Sequence, residues 1–487
     1  MNDRGSVRPN VILIVVDDLG WTDLGVQGST FYETPVIDAM AAQGCVLTQA
    51  YAASPVCSPT RASLLTGRYP LTVGVTQLIG GHGVGMLADV PSRWMLPTQE
   101  YTLARALRSA GYQTWHVGKW HLGPRRCWPD QHGFDVNIAG CDWGLPRSYF
   151  SPYECPTLTD GPEGEYLTDR LTSEAIRLIE NADDEPFFLN LWHYAVHIPL
   201  QAPAALVEKY ERKRRELGLD RIDPFEEGEE FPVWHLRDER IRRRVVQSDP
   251  VYAAMIENLD SNTGRLLDVL ERKGIAENTI VVFTSDNGGL ATAEGSPTSN
   301  LPLREGKGWM QEGGVRVPFV VRWPARVPAG VVSHVPLISP DVFPTILAAA
   351  GVPVPYPSEI DGEDVFAAWC GKRVERGPLL FHYPHYSNHG GRPSSAVREG
   401  RFKLTIDWED GTEELFDVVE DPGETRDLRA GEPERAERMS VLLREWVSAY
   451  PWSVPLRNPR NEPYDDLIGR SLYAPVGVHG PRGDDDE

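Results

Sequence analysis

Long apolar runs alternate along this chain with segments in which apolar residues recur at helical spacing. Residues 11–16, 186–192 and 279–285 are largely apolar, which is typical of strands buried on both faces of a parallel sheet. Between them, residues 166–181 and 252–273 have the pattern of helices with one apolar face. This alternation predicts an α/β fold in which helices flank a large, mostly parallel sheet.

The character of the chain changes near residue 372. Residues 1–372 carry the α/β pattern, interrupted at about 208–249 by dense charge of both signs, which predicts an exposed helical insertion: a lid, an oligomer contact or a solvated face. Residues 373–450 contain short alternating segments and then a helical stretch from about 433 to 449, which predicts a small C-terminal antiparallel sheet with a helix. Residues 451–487 predict an extended tail.

Composition narrows the class of protein. The 487 residues carry a formal net charge of −22, which argues against nucleic acid or an acidic membrane as a partner. No apolar run approaches the roughly 18 residues of a membrane span. The polar start, Met1 to Asn10, leads directly into the first strand, so we expect a cytoplasmic protein without a secretory signal. Six cysteines without C-x-x-C spacing predict free thiols.

Oxygen-bearing side chains follow two of the apolar runs. Asp17 and Asp18 end the first, and Asp286 and Asn287 end the run at 279–285. If both strands lie in one parallel sheet, these side chains converge at its carboxyl edge, where open α/β sheets bind ligands. Three carboxylates together require protons or a cation. A set without histidine or thiol favours a hard cation, Ca²⁺ or Mg²⁺, over zinc.

A second candidate site begins at Cys57. Pro59 suits the first turn of a helix, so Cys57 is expected at a helix N-terminus, which attracts anions. Arg61 lies about one turn further on and can offer a bidentate fork to an oxyanion. The alternative interpretation is a buried structural cysteine beside a surface arginine.

Four stretches of the chain together resemble the sulfatase family. Cys57, Pro59 and Arg61 match its C-x-P-x-R signature, and the run G-K-W-H-L-G contains Lys119 and His121. A histidine followed by x-P, His197, ends the strand at 186–192, and Lys307 lies in a G-K-x-x-x-x-E-G-G-x-R-x-P block. The resemblance implies an alkaline-phosphatase-like sandwich fold and hydrolysis of a sulfate ester.

The resemblance also implies how the site would work. In this family a formylglycine-generating enzyme oxidises the cysteine to formylglycine, whose hydrated aldehyde attacks the sulfate ester. For this chain it implies a metal, calcium most often, at Asp17, Asp18, modified Cys57, Asp286 and Asn287. The resemblance implies that Arg61 and Lys119 stabilise the anion and that His121 takes up a proton from position 57. It also implies that His197 or Lys307 protonates the leaving alcohol.

Two other interpretations stay open. A phosphonate monoester or phosphodiester hydrolase shares the fold and can use formylglycine, and a catalytically silent anion-binding relative would lack one of the catalytic residues, whereas none is missing here. The alcohol part of the substrate is a small molecule or a saccharide.

An aromatic, histidine-rich loop opens the C-terminal region and predicts substrate contact. Aromatic rings stack on sugar faces, and histidine and arginine bond hydroxyl groups. A surface turn held by its own glycines and prolines is the alternative. The residues predicted to bind substrate are His382, His385, His389 and Arg392.

Overall fold

The apolar runs form the centre of an eight-stranded sheet in the computed structural model of the chain, which describes residues 8–459. The strands are β1 Asn10–Val16, β2 Cys45–Leu47, β3 Ala50–Tyr51, β4 Gln113–Gly118, β5 Val136–Ile138, β6 Phe187–Trp192, β7 Phe225–Glu230, β8 Arg240–Arg244, β9 Thr279–Ser285, β10 Arg316–Val317, β11 Phe319–Arg322, β12 Val331–Ser333, β13 Leu337–Ile338, β14 Leu379–Tyr383, β15 Ser394–Glu399, β16 Phe402–Asp407 and β17 Glu413–Asp417. The helices are α1 Pro35–Ala42, α2 Cys57–Thr66, α3 Pro70–Val73, α4 Leu103–Ser109, α5 Leu167–Glu180, α6 Ala204–Glu216, α7 Pro250–Arg272, α8 Glu312–Val315, α9 Val342–Ala349, α10 Phe366–Trp369 and α11 Pro433–Ser448. Within the described residues, no helix has both the length and the apolar character needed to cross a membrane.

The large sheet has the strand order β12-β2-β11-β9-β1-β6-β4-β5. Strand β1 lies between β6 and β9 and runs parallel to both, whereas β11 is antiparallel to its two neighbours. Alternate residues of β1 belong to two separate cores: Ile12 and Ile14 pack on one face with α5 and α7, and Leu13 and Val15 pack on the other with α2, α4 and α9. The continuous apolar run is explained by burial on both faces, and the predicted α/β class with a mostly parallel sheet is confirmed.

The C-terminal region forms a four-stranded antiparallel sheet, β14-β15-β16-β17. Helix α11 covers one face through Met439 and Leu443, which pack on Leu404 and Leu415 of the sheet. Lys403 joins this sheet to the large domain. Its buried ammonium lies 3.1 Å from the carboxylate of Glu312 and 3.0 Å from that of Glu424. Of the predicted tail, residues 460–487 lie outside the described part of the chain.

The charged insertion is only partly helical, so the prediction of a helical insertion is wrong for its second half. Helix α6 accounts for the first part, but β7 and β8 then pair as an antiparallel hairpin. Glu226 lies opposite Arg243 and Glu227 opposite Arg242. Opposite charges on facing strands stabilise a sheet pair, so the charge density that suggested a solvated helix instead specifies this two-stranded ribbon.

Candidate active site

Cys57 is the first residue of α2 and is 2% exposed. The chain reaches it in extended conformation at Val56, and Pro59 occupies the first helical turn, as expected for a proline without an N–H to donate. The thiol Sγ lies 3.4 Å from His121 Nδ1. Because His121 Nε2 lies 2.9 Å from the carbonyl oxygen of Ile79, which can only accept, the proton belongs on Nε2 and Nδ1 faces position 57 as an acceptor.

The four oxygen-bearing residues meet at the carboxyl edge of the sheet. Asp17 and Asp18 follow β1, and Asp286 and Asn287 follow β9, its parallel neighbour. Asn287 Nδ2 donates to Asp18 Oδ1 at 2.8 Å, and the backbone N–H of Asp18 donates to Asp286 Oδ1 at 3.2 Å. Asp18 has φ of 62°, a left-handed conformation that asparagine and aspartate tolerate better than most residues. This turn keeps both of the consecutive carboxylates in one site.

Two fully buried cations lie beneath the carboxylates. Lys119 Nζ donates to Asp17 Oδ2 at 2.6 Å, and Arg61 donates through Nε to Asp286 Oδ2 at 2.8 Å. The guanidinium also lies 5.0 Å from the Trp192 ring centroid. Burial raises the pKa of Asp17 well above its ordinary value, although Lys119 opposes that shift. Ionisation of the Asp17 carboxyl group therefore costs free energy in this site unless a further positive charge is present.

Lys307 and His197 form a second buried group beside Asp18. Lys307 Nζ lies 2.8 Å from Asp18 Oδ2 and 2.9 Å from His197 Nε2. His197 Nδ1 lies 2.9 Å from the carbonyl oxygen of Ile198, so the ring donates there and accepts at Nε2. Burial, reinforced by Lys307, lowers the pKa of His197 to about 4. Burial opposes the charge of Lys307, but Asp18 outweighs it and raises the pKa of the ammonium. At neutral pH the proton of this pair resides on Lys307.

The oxygen set fits a divalent cation. Asp17 Oδ1 and Asn287 Oδ1 are buried but accept no hydrogen bond within the described residues, which is unusual for buried oxygen atoms. Ligand atoms of Asp17, Asp18 and His197 lie within 4.8 Å of one another, as do those of Asp17, Cys57 and Asp286. Carboxylate and amide oxygens prefer hard cations. A cation here would use the free lone pairs and offset the charge that burial penalises at Asp17.

A cavity of about 1050 Å³ opens above these groups. Four of the predicted catalytic residues line it: Cys57, His121, His197 and Lys307. Arg61 and Lys119 are not among its lining residues and lie fully buried below. The cavity therefore exposes only the edges of Cys57, His121, His197 and Lys307, while Arg61 and Lys119 lie behind them and out of its reach.

The structure brings only one of the four predicted substrate-binding residues to this cavity, His389. His382 is on strand β14, not in a loop, and its ring bonds Ser395 and the Ser453 carbonyl. Arg392 lies outside the cavity wall, against carboxylates of its own sheet. Its ion-pair partners are Asp407, Glu409 and Asp410. The prediction of substrate contact is therefore corrected for His382 and Arg392, which the sheet uses for its own packing.

His385 is also held away from the cavity. Its Nδ1 lies 2.7 Å from Asp89 Oδ1 and its Nε2 lies 2.9 Å from Thr76 Oγ1, and the side chain is buried. Both ring nitrogens are therefore occupied by protein groups. The prediction that His385 touches substrate is corrected in the same way, since the ring fixes the loop behind the cavity wall.

Sequence reasoning missed Glu294, a carboxylate in the cavity wall near the reacting groups. It has φ of 52° and is followed by Gly295 and Ser296, both also with positive φ. Asn388 Nδ2 donates to it at 3.3 Å, and His389 Nε2 lies 3.6 Å away. Only the glycine signalled a turn in the sequence, and nothing in the pattern marked the glutamate, because its neighbours come from a distant part of the chain.

Two family profiles match the chain. The Sulfatase family profile matches residues 9–352, and a profile described as N-sulphoglucosamine sulphohydrolase, C-terminal, matches residues 306–447. The chain therefore belongs to the sulfatase family, and it is a sulfuric ester hydrolase. Members of this family generally use a formylglycine residue and a divalent metal.

Individual relatives cover most of the chain. N-acetylgalactosamine-6-sulfatase of Canis lupus familiaris is 33% identical over 433 residues, which are 82% of this chain and 73% of that protein. Arylsulfatase G of Homo sapiens is 33% identical and covers 78% of this chain and 72% of its own length. The crystal structure of Ps i-CgsB in complex with k-i-k-neocarrahexaose has a TM-score of 0.72 at 27% identity, covering 96% of this chain and 98% of that chain.

Proposed function

We propose that this enzyme removes a sulfate group from a small saccharide or similar alcohol, with Cys57 converted to formylglycine and Ca²⁺, or alternatively Mg²⁺, held by Asp17, Asp18, Asp286 and Asn287. The observation that carries the proposal is the contact of Cys57 with His121 in the cavity, directly above the oxygen set. When present, the hydrated aldehyde supplies the nucleophilic hydroxyl, and the cation supplies positive charge to the sulfate oxygens. A formylglycine-generating enzyme is the implied partner.

His121 is suited to accept a proton at position 57. Its Nε2–H is committed to Ile79, which leaves the lone pair of Nδ1 toward Cys57. Burial, reinforced by Lys119, lowers the pKa of His121 well below its ordinary value, so the ring is neutral at neutral pH and can act as a base. A general base must lie within hydrogen-bond reach of the proton that it removes, and the separation meets that condition.

Lys307 is suited to donate a proton to the departing alcohol. An ammonium group has three N–H donors, of which two are used by Asp18 and His197. The third remains for the oxygen between sulfur and carbon. His197 holds the ammonium in place by accepting a hydrogen bond from it at Nε2. In this proposal Lys307 donates the proton to the departing alcohol, and His197 positions the ammonium group of Lys307.

Two observations support a saccharide as the alcohol. The cavity volume lies at the upper end of the range for small-molecule sites, so it exceeds what a sulfate group alone needs. A relative named N-acetylgalactosamine-6-sulfatase covers most of the chain, and one of the similar structures is a complex with k-i-k-neocarrahexaose. Tyr383, His389 and Glu294 line the cavity, and such side chains can bond sugar hydroxyls.

The test combines mass spectrometry with substrate screening. In active protein, the peptide containing position 57 should carry formylglycine, and Cys57→Ser should abolish turnover. Sulfate release should be measured on N-acetylgalactosamine 6-sulfate, other sulfated mono- and disaccharides, a chromogenic aryl sulfate and a phosphodiester. Full activity with unmodified cysteine would contradict the modification, and faster cleavage of the phosphodiester would favour the phosphonate monoester or phosphodiester alternative.

A further inference from the structure

The β7–β8 hairpin forms one wall of the cavity mouth. Phe225, Phe231, Arg240 and Arg242 all line the cavity, and the hairpin belongs to the charged insertion that the α/β pattern does not need. The hairpin therefore adds residues to the cavity wall although it is not part of the eight-stranded sheet.

The hairpin is anchored to loops that carry active-site groups. Arg243 Nε donates to Glu305 Oε2 at 2.7 Å, two residues before Lys307. The backbone N–H of Arg244 donates to the carbonyl of Ala291 at 2.8 Å, and its guanidinium donates to the Ser296 carbonyl. These bonds hold β8 at the two residues that follow Arg242. A binding group supported in this way keeps a defined distance from the reacting centre.

Three arginines line the cavity, and they differ in whether a carboxylate pairs with them. Arg147 pairs with Glu154 at 2.6 Å, and Arg240 pairs with Glu227 at 2.6 Å. Arg242 faces Glu227 in the strand register, but the Glu227 carboxylate pairs with Arg240 instead, and no carboxylate among residues 8–459 lies within ion-pair distance of Arg242. Its guanidinium is backed by the ring of Phe225, at 4.5 Å from the centroid. The side chain of Arg242 is exposed, so the N–H groups of a guanidinium supported by an aromatic ring remain available to an oxyanion.

We propose that Arg242 forms a second anion subsite, which binds a sulfate or carboxylate group of the saccharide other than the sulfate ester that is cleaved. The inference rests on the proposed function and narrows its substrate class to saccharides with at least two anionic groups. In a chain of net charge −22, an exposed arginine without an ion-pair partner among the described residues attracts anions to the cavity mouth, while the rest of the surface repels long polyanions. A short, doubly charged sugar suits this arrangement better than a long sulfated polymer.

Binding should be measured in full-length protein carrying Cys57→Ala, so that the readout does not depend on turnover. The probes for titration calorimetry are a chondroitin-type disaccharide with a 6-sulfate and a uronate, the same disaccharide with its carboxyl group reduced, and N-acetylgalactosamine 6-sulfate beside its 4,6-disulfate. A charge-assisted bidentate contact should make Kd about tenfold lower for the more highly charged member of a pair. Arg242→Gln should remove this preference, and Arg242→Lys should keep part of it.

Arg237→Gln is the matched control, because Arg237 is an exposed arginine of the same hairpin that does not line the cavity. It should leave the preference intact. A preference in the uronate pair identifies a carboxylate as the bound group, and one in the disulfate pair identifies a sulfate. Equal Kd values within both pairs, or a preference that survives Arg242→Gln, would overturn the inference. Absence of sulfate release from every ester in the presence of this binding preference would instead overturn the proposed function alone.

Discussion

Replacement of Lys307 by methionine tests whether Lys307 donates the proton that the departing alcohol needs. Lys307 is 3% exposed and bonds both Asp18 and His197. Loss of one preorganised donor to developing charge costs about 10²–10³ in kcat, and loss of a general acid costs about 10²–10⁴. The first loss applies to any sulfate ester. The second applies only where the departing alcohol is a poor leaving group, as in a saccharide, and not for a nitrophenol.

We therefore expect Lys307→Met to reduce kcat for a saccharide sulfate about 10²–10⁴-fold more than for a nitrophenyl sulfate. The assay is sulfate release from both esters at saturating concentration, with circular dichroism to verify folding. Lys307→Arg is the matched control, because arginine keeps the charge but does not release a proton; it should restore the aryl ester more than the saccharide ester. Equal losses on the two esters would refute the assignment of the proton to Lys307.

Three further expectations concern the metal, pH and the fold. Exhaustive chelation should abolish turnover and lower the thermal unfolding temperature, and Asp18→Ala should prevent recovery with Ca²⁺ whereas Asn287→Ala should weaken it; full turnover in protein shown to be free of metal would contradict the cation. Burial lowers the pKa of His132 to about 4, so the unfolded state takes up the proton first and this residue destabilises the fold as pH falls below about 6.5. Relative to wild type, His132→Phe should thus gain about 1 kcal/mol of unfolding free energy between about pH 7.5 and about pH 5.5 in denaturant titrations; an unchanged difference would mean that His132 has the same pKa in the folded protein as in the unfolded chain. Lys403→Met should lower the unfolding free energy by about 3–5 kcal/mol, because it removes the ammonium that the buried carboxylates of Glu312 and Glu424 share, and a loss below about 1 kcal/mol in the same titration would show that this ion cluster is dispensable.

The parts of the structure that follow from local pattern were predictable. A strand buried on both faces requires a continuous apolar run, and β1 and β9 could be located from that requirement alone. Parallel pairing then brings Asp17 and Asp286 to one edge, so the convergence of the oxygen set follows from topology. The start of α2 at Cys57 was predictable because Pro59 suits only the first turn.

The parts that depend on contacts between distant segments were not predictable. The hairpin β7–β8 has charged residues on both strands, so neither a period of two nor a period of 3.6 in hydrophobicity marks it. His385 has the composition of a sugar-binding residue, yet its partners are Asp89 and Thr76 from another part of the chain. Only the folded structure shows that its ring nitrogens are already used.

The ion cluster around Lys403 has a consequence for attempts to exchange specificity between sulfatases. Lys403 belongs to the C-terminal sheet, but its ammonium donates to the carboxylate of Glu312 at 3.1 Å and to the carbonyl of Met310 at 2.8 Å, both in the large domain. Met310 lies three residues beyond Lys307, so one short segment carries both a contact of the C-terminal sheet and the proposed proton donor. We therefore expect that a chimaera with a foreign C-terminal sheet must also receive the matching segment around residues 304–318, because otherwise the graft would displace Lys307.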